Sequence, residues 1–177
     1  MIWSALTMGF FGFLRCGEMV ARSQGEPAPL TREDVAVNGS RITLRLRHTK
    51  TRPTLPVTIS IARSGSDICA VEALTQYLRH RGPTPGPLFV FASGKAMTRE
   101  PLVANLRLLC TRLGLDTGDY CGHSLRIGAA TTAAERGVPD WLLKALGRWE
   151  SNCYQTYIRT PQSTLDSVPS ILAHTKN

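Results

Sequence analysis

The chain has 177 residues, of which 42% are apolar and 19% charged; this is the composition of a globular domain with a hydrophobic core, and it excludes a largely disordered chain. Lys and Arg number 21 against 13 Asp and Glu, a formal net charge of +8, a surplus that attracts polyanions, nucleic acid foremost, although a plain basic surface has the same balance. The cysteines, Cys16, Cys69, Cys110, Cys121 and Cys153, are odd in number and lack CxxC spacing, so they indicate neither a disulfide framework nor a zinc site and read as buried residues of a reducing compartment.

Residues 1–14 are largely apolar and run straight into Arg15 and Glu18. The stretch is too short for a membrane span and lacks the basic leader of a signal peptide, so a core helix over 2 to about 21 is predicted. The helical pattern begins abruptly at Met1, as expected of a piece cut from a longer protein. Gly25, Pro27 and Pro29 break it. Residues 34–37, 41–47 and 57–61 then read as strands, the last two alternating polar and apolar, and Asn38-Gly39 is a hairpin signal because both residues tolerate positive φ. A second turn falls at 49–53. Helices are predicted over 69–80 with Asp67 as cap, from Thr98 to near Gly114, over 122–136 closed by Gly137, over 139–146 closed by Gly147, and over 151–158. A rigid Pro-Gly loop at 82–87 precedes a short extended piece at 88–91. The sum is an α+β, mainly α domain with one small antiparallel sheet of about three strands.

Breaking a phosphodiester without a metal needs guanidinium groups for the non-bridging oxygens, an acid for the leaving 5′ oxygen, and a nucleophile. The chain holds such a set. Arg15 and Glu18 stand three apart, His123 and Arg126 stand three apart on one helical face, Leu146-Gly147-Arg148-Trp149 follows, and Tyr157 lies beyond. Taken singly, each has an ordinary alternative. Arg15 with Glu18 makes a common surface salt bridge, Arg126 a solvated helix arginine, His123 a structural imidazole, Lys50 an exposed turn lysine and Trp149 a core indole.

The order of these residues resembles the tyrosine recombinase, or phage integrase, family, over nearly the whole chain from about 9 to 159. The phrasing of 10–18, with Phe13-Leu14-Arg15-Cys16-Gly17-Glu18, and of Gly122-His123-Ser124-Leu125-Arg126 and Gly147-Arg148-Trp149-Glu150-Ser151, is most similar to recombinases of DIRS-type retrotransposons. The resemblance implies that residues 1–160 form a catalytic domain without the N-terminal domain that completes a clamp on DNA, and that 161–177 form a tail. Leu165, Val168, Ile171 and Leu172 are helically spaced in that tail although Pro169 interrupts them, so the tail is either a segment that packs onto a neighbouring protomer, as in the family, or a disordered one.

Arg15 and Arg126 would then hold the scissile phosphate of double-stranded DNA, with His123 beside it and Glu18 orienting Arg15. Lys50, in the hairpin turn, would protonate the leaving oxygen, while Arg47 and Arg52 reach neighbouring phosphates. Tyr157 would be the nucleophile, favoured over Tyr154 by its spacing from Leu146-Gly147. The family's His or Trp directly after Leu-Gly is replaced here by Arg148, with Trp149 next, so either residue fills that slot. Neither metal nor cofactor is implied, and two alternatives to strand exchange stand beside it: a DNA-binding domain of a domesticated mobile element that no longer cuts, and a type IB topoisomerase-like enzyme that relaxes DNA by the same chemistry. A tetramer on DNA is implied for the full-length protein, with a monomer an option for this fragment. The nucleus is implied for a eukaryotic mobile element, and otherwise the cytoplasm.

Overall fold

A computed structural model describes residues 1–47, 55–157, 166, 168–170 and 173, with 153, 154 and 157 by their backbone alone. Lys50 and Arg52 lie outside the described residues, as do Leu165, Ile171 and Leu172 of the tail pattern. By its internal contacts the chain divides into two compact units, Met1–Arg126 and Ile127–Asn177.

Among the described residues the first unit holds the helices α1 (Ile2–Phe11), α2 (Cys16–Met19), α3 (Ala70–Arg81) and α4 (Arg99–Arg112), a 3-10 helix (Arg32–Asp34), and a sheet of β1 (Val35–Val37), β2 (Arg41–Leu46) and β3 (Val57–Ala62). The sheet is antiparallel in the order β1-β2-β3. Its register pairs Val35 with Leu44 and Ile42 with Ile61. Ile42, Leu44 and Leu46 are buried whereas Arg41 and Arg45 are exposed, the alternation of a sheet with one face on the core. The hairpin turns at Gly39, whose φ is 84°, and the Arg41 N–H donates to Asn38 Oδ1 at 3.1 Å. The strands and this turn stand where the sequence predicts them. So does the extended piece near 88–91, where the Phe91 N–H donates to Lys95 O and the Met97 N–H to Phe89 O, each at 2.9 Å. The core gathers Met8, Leu14, Ile42, Leu44, Leu74, Leu88 and Phe89.

The predicted first helix is in fact two. It stops at Phe11, and Phe13 takes a left-handed φ of 50°. Its carbonyl accepts a hydrogen bond from Arg126 Nη1 at 2.6 Å. That partner lies 113 residues away, and Gly12, which ends α1, is the one local mark of the break. Arg15 consequently stands in extended conformation immediately before α2, not inside a helix. Asp67 does not cap α3. The residue at the helix entrance is Cys69, and Asp67 is too early to reach the first free N–H groups.

The division between units falls within α5 (Ser124–Glu135). The second unit continues with α6 (Asp140–Gly147) and a 3-10 helix, Asn152–Tyr157. Among its described residues Ala129, Ala130, Leu143 and Trp149 are buried and apolar. Gly114 and Gly137 close α4 and α5 with φ of 72° and 73°, as predicted, because a left-handed residue past a helix end satisfies its last carbonyls. Gly147 does not close α6. It remains helical, and Arg148 takes the left-handed position with φ 55° and ψ 44°. The Arg148 N–H donates to Ala145 O and the Trp149 N–H to Lys144 O, each at 3.0 Å, the bonding of a Schellman motif. Gly147 is needed for another reason. A Cβ there would lie 1.7 Å from Cζ3 of Trp149, so the indole lies directly against the glycine.

Candidate active site

Two short segments meet in the first unit. The Cys16 N–H donates to Gly122 O at 3.3 Å, and Arg126 Nη1 donates to Phe13 O at 2.6 Å. These bonds join residues 13–16 to residues 122–126, so the first arginine and the His-x-x-Arg pair are held side by side. Gly9 aids the approach. A Cβ there would lie 2.6 Å from Leu125 Cδ1 and 3.1 Å from Met19 Cε, so a side chain on α1 would push against the residue beside Arg126.

Arg15 is oriented by Glu18. Glu18 Oε2 accepts from the Arg15 backbone N–H at 2.8 Å and Oε1 from Arg15 Nη1 at 3.0 Å. The Glu18 side chain is 5% exposed and that of Arg15 19%. One carboxylate therefore closes the start of α2 and fixes the Arg15 guanidinium. His123 lies exposed just before α5, whereas Arg126, in its first turn, is 2% exposed. The Ser124 hydroxyl accepts from the Cys121 N–H at 2.8 Å and so shapes the entry to α5.

Arg15, Glu18 and His123 line one cavity of about 260 Å³, together with Cys16, Gly17, Gly122 and Arg99. Arg99 was not singled out by sequence. It is the first residue of α4, outside every motif, and only the tertiary structure brings it here. Burial pushes the Cys16 thiol up to about 11, against the opposing pull of Arg99, so this sulfur is a neutral thiol near pH 7 and a poor nucleophile. A larger cavity of about 670 Å³, lined among others by Trp3, Tyr77 and Phe91, gathers no comparable set of cations and acids. Among the described residues no group of His, Cys, Asp and Glu is placed to hold a metal ion, and no helix is long and apolar enough to cross a membrane.

Arg47 stands at the end of β2. Its Nε donates to Asp34 Oδ1 at 2.8 Å and its Nη2 to Thr31 Oγ1 at 3.1 Å, so part of its fork is engaged within the protein, and its side chain is 51% exposed. Burial disfavours the ionised Asp34, but the Thr31 hydroxyl and N–H and the Arg47 guanidinium outweigh it and hold the carboxyl below its ordinary value.

Arg148, Trp149 and Tyr157 belong to the second unit. Trp149 is buried, at 6% exposure. Arg148 Nη1 donates to Leu146 O at 3.1 Å. Tyr157 is the last residue of the 3-10 helix, a tighter coil than the α-helix that the sequence suggested for 151–158, and Tyr154 lies within it.

No protein-family model matches the chain, and no curated protein matches it. Solved structures do. The XerH site-specific recombinase bound to a palindromic difH substrate, in a post-cleavage complex, superposes with a TM-score of 0.73 at 18% identity, covering 97% of this chain and 45% of that one. The XerA recombinase gives 0.73 at 18% identity, covering 99% of this chain and 57% of the other. This is the fold of the tyrosine recombinase catalytic domain. The Tn1549 transposon integrase, in complex with circular-intermediate DNA, matches at a TM-score of 0.63 and 16% identity, with 97% and 57% covered. The recombinase fold thus accounts for nearly all of this chain, and the chain spans about half the length of each of these proteins.

Proposed function

We propose that the chain is the catalytic domain of a DNA recombinase or integrase that cuts and rejoins strands through a covalent phosphotyrosine. The observation that carries this reading is the convergence of Arg15, oriented by Glu18, with the His123-x-x-Arg126 pair on a recombinase fold. Two guanidiniums and an imidazole suit a phosphodiester, whose transition state gathers negative charge on its non-bridging oxygens.

In this reading the Tyr157 phenolate oxygen attacks phosphorus, and the bond from phosphorus to the 5′ oxygen breaks. Lys50 gives that oxygen its proton, leaving a 3′-phosphotyrosyl link and a free 5′ hydroxyl. A 5′ hydroxyl from another strand reverses the step. The bond energy is retained throughout, so the exchange requires neither ATP nor a metal. A phenol titrates near pH 10, about three units above neutrality, so it needs nearby positive charge to ionise as it attacks. Trp149 or Arg148 fills the remaining position, and Arg47 and Arg52 hold flanking phosphates. The motif phrasing points to a DIRS-type mobile element, hence to a nuclear enzyme acting as a tetramer with exchanged C-terminal tails. A second reading, a domain that binds DNA without cutting, draws on the Arg148-Trp149 replacement.

Supercoiled plasmid incubated in EDTA and quenched with SDS tests both. Wild type and Tyr154→Phe are expected to give relaxed plasmid and protein-linked nicks, and Tyr157→Phe none. Equal nicking by Tyr157→Phe would remove Tyr157 as nucleophile. DNA binding without nicking by any of the three would favour the binding-only reading.

A further inference from the structure

We propose that Arg99 is a further phosphate-binding residue of this site, its guanidinium taking a backbone phosphodiester oxygen of bound DNA. The inference rests on the reading that DNA occupies the cavity of Arg15 and His123, and it names a residue outside the motifs that led to that reading.

Three observations point to it. Arg99 lines the same cavity as Arg15 and His123, and the only carboxylate lining it among the described residues, Glu18, is already bonded to Arg15. The Arg99 side chain makes no hydrogen bond or ion pair among the described residues, while its backbone is fixed, with its N–H donating to Ala21 O at 2.9 Å. Finally, the guanidinium lies over Gly122. A Cβ on that glycine would stand 3.1 Å from Arg99 Nε and 3.4 Å from Nη2, so the absence of a side chain there admits the cation next to His123.

The placement has a cost that packing does not repay. A cation in the first turn of a 14-residue helix faces the positive end of the helix dipole. The adjacent Glu100 does not share its face of the helix. The neutral Cys16 thiol adds no counter-charge. An exposed guanidinium with no hydrogen-bond or ion-pair partner among the described residues, lining a cavity that already carries a guanidinium and an imidazole, is suited to an anion with several oxygens. On a recombinase fold the anion of that chemistry is the DNA backbone.

The test is binding of a short DNA duplex by the whole chain, followed by fluorescence anisotropy over a series of salt concentrations. The proteins are wild type, Arg99→Gln, Arg99→Lys and Arg112→Gln. Arg112 is exposed in the last turn of the same helix, about 20 Å away at 1.5 Å per residue, and controls for loss of charge alone. Arg99→Gln is expected to lower the slope of log K against log salt by about 0.9, the signature of one lost phosphate contact, and to weaken binding about eightfold at 0.1 M salt. Arg99→Lys should keep most of the slope, and Arg112→Gln should shift it far less. Because the Arg99 side chain holds nothing in place, the melting temperature of Arg99→Gln should equal or slightly exceed that of wild type.

Slopes equal for Arg99→Gln and Arg112→Gln would overturn the proposal, as would a melting temperature lowered by several degrees, which would mark a structural role. If Arg99→Gln behaves as expected while no protein nicks plasmid, the Arg99 assignment stands and strand exchange does not. If the wild type binds no DNA, both readings fall together.

Discussion

Glu18 uses both carboxylate oxygens on Arg15, one on its backbone N–H and one on its guanidinium. Removing it therefore does two things at once. Glu18→Ala should lower stability by about 1–3 kcal/mol, because a helix-start N–H and a partly buried guanidinium lose their acceptors, and should also cut plasmid nicking. Glu18→Gln retains one acceptor oxygen and should lose less stability. Its nicking should still fall, since the charge that fixes Arg15 is gone. Urea melts of both variants beside the nicking assay would check this, and full nicking by a stably folded Glu18→Ala would show that Arg15 needs no such support. Arg126 differs in being almost fully buried and bonded to the Phe13 carbonyl. It holds the backbone beside Arg15, so its removal should disturb the fold there.

At the scale of elements, the ends of the helices show local preference and tertiary demand competing. α4 and α5 close on Gly114 and Gly137, each at positive φ. α6 could have closed in the same way on Gly147, but a Cβ at that position would fall inside the Trp149 ring. The glycine is spent on that contact, and Arg148 must adopt the left-handed conformation that a side chain disfavours by roughly 1–2 kcal/mol. Arg148→Gly should therefore raise stability by about 1 kcal/mol, read as a higher urea midpoint at unchanged m. The same variant should reduce nicking if Arg148 fills the slot that the family gives to His or Trp, and leave it unchanged if Trp149 does. A lowered urea midpoint would mean that the contacts of the Arg148 side chain outweigh the relief of its left-handed backbone.

For the molecule as a whole, the ionisable groups set the pH range over which the fold is stable. Burial opposes ionisation of Asp34, yet Thr31 and Arg47 hold its pKa below the ordinary 3.8. The backbone N–H groups of Glu33 itself and of Gly86 lower Glu33, and hydrogen bonds from Arg63 and Gln76 lower Glu72. Depressed carboxyls contribute stability that is present above their unfolded values and lost as pH falls through the folded ones. Cys16 runs the other way. Burial raises it from 9.0 to about 11, so its contribution is complete below 9.0 and lost as pH rises toward 11. Thermal melts across pH should thus show a plateau near neutrality, a fall below about pH 4 and a second fall above about pH 9. Cys16→Ser should reduce the alkaline fall and leave the acid one. An alkaline fall unchanged in Cys16→Ser would assign it to other groups.

What the amino-acid sequence determined by itself is what depends on neighbours in the chain. The alternation of 41–47, the hairpin at Asn38-Gly39 and the glycines after α4 and α5 are local signals, and the structure has those elements there. The candidate residues for phosphate chemistry could be picked out because their motifs are short. Arg15 with Glu18, and His123 with Arg126, each fit within one helical turn. Only the tertiary structure decided how these pieces combine. The apolar run at the start continues as though one helix were intended, but α1 ends on Gly12, and the left-handed Phe13 beyond it offers its carbonyl to the Arg126 side chain more than a hundred residues on. Gly147 reads as a terminator until the indole two residues later claims its face. Arg99 carries no sequence mark, and it joins Arg15 and His123 because its backbone is pinned to Ala21 and Gly122 has no side chain to exclude it. In each case the deciding partner is distant in sequence or set by packing, and such a contact leaves no period or spacing to read.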